Sequence, residues 1–105
     1  MIRHIVFFKF RGDAGSSDRD AVLDDLAALS TVVDGIVDFE VGRDIMRLPR
    51  SFDAVLVSTY ADRDALDAYQ RHETHVAVAA RLRELCETIG SVDYPVGSGT
   101  VTPAG

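Results

Sequence analysis

The sequence predicts an α+β fold: a four-stranded antiparallel sheet, helices against one of its faces, and a second copy of the chain against the other. Three observations lead there. Hydrophobic patterns of period two and period 3.6 follow one another in the order β-α-β-β-α-α-β. Two of the strand segments are apolar on both faces near their centres, where a strand with one wet face would alternate. The chain has 105 residues, room for a single domain whose helices can cover only one face of the sheet.

Residues 2–11, within "MIRHIVFFKF", read as the first strand, closed by Gly12-Asp13. Ile2, His4, Val6, Phe8 and Phe10 share one side, and Arg3, Ile5, Phe7, Lys9 and Arg11 the other, so both sides need cover. A helix is expected over 18–33, where Val22, Leu23, Leu26, Leu29 and Val33 recur at helical spacing, with Ser17 as N-cap and Gly35 at the stop. Residues 36–44 alternate Val37, Phe39 and Val41 with Asp38 and Glu40, a one-sided strand, followed by a turn region containing Pro49. Residues 52–60 form the second strand that is apolar on both faces.

Asp62 is placed to cap the next helix, which carries Leu66 and Tyr69. A long third helix then follows the stripe His75, Val78, Leu82, Leu85 and Ile89 and is expected to end at Gly90. The last strand, "SVDYPV", contains Pro95, which lacks an amide donor and so belongs at an edge or a strand end. This order is the split βαβ arrangement of ferredoxin-like domains, and it predicts a domain over 1–97 with a loose tail over 98–105. The uncovered apolar sheet face predicts a homodimer joined sheet to sheet.

Composition narrows the partners. Eleven basic against seventeen acidic residues give a net charge of −6, with no basic track for phosphates, which argues against nucleic acid and anionic membrane. Lys9 and Arg11 interrupt the N-terminal apolar run too early for a signal peptide or a membrane span. The single cysteine, Cys86, reads as a buried small hydrophobe and excludes an internal disulfide. A cytoplasmic protein is the expectation.

The chemistry-bearing stretch is "AYQRHETHVA", residues 68–77. His72 and His75 are separated by two residues, so the segment is not HExxH, and Glu73 points away from its neighbour; no metal site is expected. His75 belongs to the apolar stripe of its helix and should face inward. An imidazole partly removed from water, beside the Tyr69 hydroxyl, can move protons near neutral pH. In a plainer reading Tyr69 hydrogen-bonds a backbone carbonyl, His72 caps a helix turn towards solvent, and His4 is a satisfied core residue. The single glycine of "VGRD" makes no phosphate loop.

Taken together, the opening "MIRHIVFFKF", the "VGRD" after the second strand and "ALDAYQRHETHVAV" resemble the Dabb proteins, the stress-responsive dimeric α/β-barrel domains. The resemblance runs from residue 1 to about 97 and implies a ferredoxin-like homodimer. Members include a plant cyclase that forms olivetolic acid by a cofactor-free aldol condensation, and its catalytic tyrosine and histidine correspond to Tyr69 and His75. His4 corresponds to a histidine that lines the family's pocket and His72 to the first histidine of its motif, so both are expected to bind substrate, with Val6, Phe8, Leu23, Leu26 and Leu82 lining the apolar part of the pocket.

Two departures stand out. Glu73 occupies a position where the family carries Pro at a helix break, and Leu26 replaces a bulkier aromatic of the cyclase. The resemblance thus implies a small-molecule pocket for an apolar or carbonyl-containing compound, with no cofactor and no metal. It is either a carrier's pocket or that of a cyclase, isomerase or lyase using Tyr69 and His75. An antibiotic-biosynthesis-type monooxygenase shares the architecture, but the histidine motif and the absence of tryptophan weigh against it.

Overall fold

The computed structural model describes residues 1–97; the tail expected over 98–105 lies outside the described residues. Its elements are β1 (Ile2–Phe10), α1 (Ser16–Val32), β2 (Ile36–Arg43), β3 (Ala54–Tyr60), α2 (Arg63–Arg71), α3 (Glu73–Leu85) and β4 (Cys86–Pro95). The sheet is antiparallel throughout, in the order β2-β3-β1-β4. This is the ferredoxin-like arrangement the pattern predicts. The two strands with apolar residues on both faces, β1 and β3, are its central pair.

One sheet face carries the core. His4, Phe8 and Phe10 of β1 and Ala54, Leu56, Ser58 and Tyr60 of β3 are buried there. The helices supply Val22, Leu23, Leu26 and Leu29 from α1, Leu66 and Tyr69 from α2, and Val78 and Leu82 from α3. On the opposite face the register aligns Ile5 with Val57 and Val92, and Phe7 with Val55. These side chains meet no helix; Val92 is exposed and the others are half-buried.

Several boundaries differ from the sequence expectation. Ser17 is not the cap of α1: Gly15 holds that position without a side-chain bond. The Arg19 guanidinium donates to the carbonyls of Ala14 and Arg11 and so pins the entering loop, which lets the helix start at Ser16. At the other end Gly35 takes φ 87°, the left-handed conformation glycine adopts freely, and reverses the chain as expected. β3 starts at Ala54, since the Asp53 carboxylate accepts from Phe10 N–H and its own N–H goes to Phe8 C=O. Phe52 packs instead on Phe7, ring centroids 5.7 Å apart.

The largest departure is at the end of α3, which stops at Leu85, so Ile89 is not a helical residue and Gly90 is not a helix end. Residues 86–90 pair with β1 instead: Phe10 with Cys86, Lys9 with Thr88, Phe8 with Ile89. β1 needs a partner along its whole length, and the ladder hydrogen bonds that satisfy it outweigh one more helical turn. Ile89 fits a helical stripe and a strand equally well, so periodicity cannot separate them there. Pro95 closes β4, an edge strand, where its missing donor does least harm.

Candidate functional site

The site is built around a break in what could have been one continuous helix. Tyr69 and His75 are six residues apart; at 3.6 residues per turn an unbroken helix would place them about 240° apart, on different faces. The chain breaks at His72, which takes extended φ −61° and ψ 134°. Its Nδ1 accepts from the Thr74 backbone N–H at 3.1 Å, capping α3, while its own N–H reaches Tyr69 C=O at 3.2 Å, closing α2. Tyr69 at the end of α2 and His75 at the start of α3 then converge, ring centroids 4.5 Å apart.

The helix break therefore survives without the family's proline. Glu73 is the first residue of α3, a position that favours proline and also, through the helix dipole, an acid.

Between the helices and the sheet lies a cavity of about 210 Å³. Of the residues expected to line it, His4, Val6, Phe8, Leu26, Tyr69, His75 and Leu82 do so. Two do not. His72 is spent on the α2–α3 junction, and Leu23 is buried in the core one turn along α1. Leu56, Ala79, Arg83 and Ile89 complete the wall, none of them singled out by the sequence. Ile89 enters it only because residues 86–90 are strand. Arg83 could have been found by continuing His75 in steps of four.

Each polar group in the wall has a defined state. Tyr69 is fully buried, yet among the described residues its hydroxyl has no hydrogen-bond partner, and the neighbouring Tyr60 hydroxyl has none either. The plainer reading, in which Tyr69 bonds a backbone carbonyl, does not hold. The two phenol rings lie 5.2 Å apart and each hydroxyl acts on the other's proton affinity, although neither reaches full hydrogen-bond geometry with a partner. Burial pushes Tyr60 up to about 12 and Tyr69 further, so both are neutral phenols, and donors, at physiological pH.

His75 bonds through Nδ1 to Gln70 C=O at 2.9 Å. A carbonyl only accepts, so Nδ1 carries the proton and Nε2 keeps the lone pair. Burial lowers its pKa from 6.5 and outweighs the bond to Gln70 C=O, which favours the protonated form, so it is mostly neutral at pH 7.

His4 is buried and bonds through Nδ1 to the Asp93 carboxylate. Its ring lies 6.4 Å from that of Tyr69 in an edge-on arrangement. Asp93 escapes a reading of the sequence because only the pairing of His4 with Asp93 across β1 and β4 brings them together. Among the described residues no group of three His, Cys, Asp or Glu side chains could hold a metal ion.

A ferredoxin-like domain with a polar cluster at one end of an apolar, helix-side cavity defines the class. The chain belongs to the Dabb family: the model of the Stress responsive A/B Barrel Domain matches residues 2–96. A Dabb family protein with a ferredoxin-like fold from Mesorhizobium loti is 29% identical, with TM-score 0.75, over 91% of this chain and 97% of that one. A dimeric protein of unknown function and ferredoxin-like fold from Bacteroides fragilis is also 29% identical, with TM-score 0.75, over 89% and 93%. The hydroxynitrile lyase of Passiflora edulis superposes with TM-score 0.84 over 95% and 96%, but at 17% identity the likeness is one of fold alone. No curated protein matches the chain.

Proposed function

We propose that this chain works as a homodimeric Dabb domain that binds a small carbonyl compound in the cavity and moves a proton on it without a cofactor, using Tyr69 and His75. The observation that carries the reading is Tyr69: its hydroxyl is buried and unpartnered among the described residues, and the residue lines the cavity beside a neutral imidazole. A buried hydroxyl left without a partner costs roughly 1–3 kcal/mol. A ligand oxygen in the cavity would relieve that cost.

In the proposed reaction His75 Nε2 takes a proton from the carbon next to a carbonyl. The electron pair moves onto the carbonyl oxygen, where the Tyr69 O–H donates to it as negative charge develops. The enolate carbon attacks a second carbonyl of the same molecule, and the protonated His75 returns its proton to the new alkoxide. His4, held by Asp93, lines the adjoining wall. The remaining wall is apolar, from Val6, Phe8, Leu26, Leu56, Ala79, Leu82 and Ile89. Pockets for drug-sized ligands start near about 300 Å³. At 210 Å³ this cavity suits a smaller molecule.

The test is exchange of α-protons in D2O, followed by NMR over a panel of small ketones and 1,3-diketones. Wild type should accelerate exchange; His75→Gln should lose about 10²–10⁴-fold of that acceleration and Tyr69→Phe about 10²–10³-fold. Tyr69→Phe should melt no lower than wild type, since it removes a hydroxyl that bonds nothing. Equal rates in all three proteins would remove both roles. Binding without exchange would leave a carrier, a reading the predominantly apolar wall also supports.

Dimerisation is part of the same reading. It is supported by the helix-free face of β1 and β3 and by the dimeric description of the Bacteroides fragilis relative.

A further inference from the structure

Resting on the cavity reading above, we propose that the ligand is an anion: a carbonyl compound bearing a carboxylate, which Arg83 binds at the cavity mouth while the carbonyl end lies against Tyr69 and His75. Among the described residues of the wall Arg83 is the only one with a permanent charge, and none of them carries a carboxylate.

The chain is otherwise short of cations, eleven against seventeen acids, and most of its arginines are engaged. Arg81, on the same helix, pairs with Asp25; Arg43 pairs with Asp20 and Arg47 with Asp53. Arg83 is exposed and, among the described residues, has neither an ion pair nor a side-chain hydrogen bond. Its place in the last turn of α3 suits the helix dipole. The dipole accounts for a cation near that end; it does not account for one in the wall of a cavity.

Helix geometry aims the group. His75, Ala79 and Arg83 stand four apart on one ridge of α3, so the first and last are about 12 Å apart along the axis at 1.5 Å per residue. Helical side chains lean towards the N-terminus, which carries the guanidinium back over Ala79 towards His75. Ala79, between them in the wall, fills little of the cavity with its methyl group. A guanidinium presents a planar fork that matches a carboxylate with two parallel hydrogen bonds, which gives orientation as well as attraction. Exposed Ile89 flanks the mouth and would cover the methylene chain between the two ends.

The test uses a matched pair, 5-oxooctanoate and its methyl ester, titrated by calorimetry into wild type, Arg83→Gln and Arg83→Lys. The acid should bind wild type about tenfold more tightly than the ester. Arg83→Gln should remove that preference by weakening the acid more than the ester, and Arg83→Lys should keep part of it. An equal affinity of wild type for acid and ester, with Tyr69→Phe weakening both, would overturn the anion assignment and leave the cavity reading standing. No binding of either compound to wild type would overturn both. A preference for the acid that persists in Arg83→Gln would assign the anion to another group and overturn the role of Arg83.

Discussion

Tyr69 and His75 differ in what burial does to them. It raises the phenol and lowers the imidazole, so at pH 7 one is a neutral donor and the other a neutral base. The sign fixes a pH dependence. The folded value of His75 lies below 6.5, so the unprotonated form that the proposed reaction needs predominates at neutral pH and is lost as pH falls through that lowered value. The rate of α-proton exchange should therefore have an acid limb that is centred below pH 6.5 and is absent from the residual activity of His75→Gln; a limb centred above 6.5 would contradict burial as the governing effect.

Much of this pair is legible in the sequence, since His75 is in line with the apolar stripe of α3. The partners are less so. Asp93 reaches His4 through strand pairing, and the state of each imidazole depends on which carbonyl, carboxylate or amide it meets.

At the scale of elements, the junction between α2 and α3 determines whether the site exists, because without a break at His72 the tyrosine and histidine rings would turn to different faces. The junction is held by a side-chain cap from His72 to Thr74 N–H rather than by a proline. Loss of such a cap costs about 1 kcal/mol. His72→Ala should lower the melting temperature accordingly, and His72→Asn, whose side chain also caps well, should recover most of the loss; unchanged melting in the alanine variant would contradict the capping role. The residue that the family pattern aligns with a pocket position is in this chain a structural one. The α3–β4 boundary makes a related point. Leu85 and Ile89 continue the helical stripe, but hydrogen bonding to β1 claims residues from Cys86 onwards and delivers Ile89 to the cavity wall.

For the whole molecule, the open face of the sheet is the dominant feature. Ile5, Phe7, Val55 and Val57 lie on the two central strands with no helix above them, and Val92 extends the patch onto β4. A soluble chain seldom leaves so continuous an apolar sheet face in water. The proposed dimer covers it. Val57→Glu places a charge on this face without touching the core on the other. It should shift the mass measured by light scattering at micromolar concentration from twice the 11.4 kDa chain to a single one. A wild-type protein that is already monomeric there would remove the dimer.

The sequence by itself determined the order of elements, the two-faced central strands and the inward side of the third helix, because each is a local period that residue type expresses directly. Tertiary structure alone decided where α3 yields to β4, that Asp93 lies beside His4, and that Arg83 stands in the cavity wall unpaired among the described residues. Those outcomes depend on which backbone groups find partners across the sheet and on the angle at which two helices meet. Neither is encoded in the spacing of any one segment.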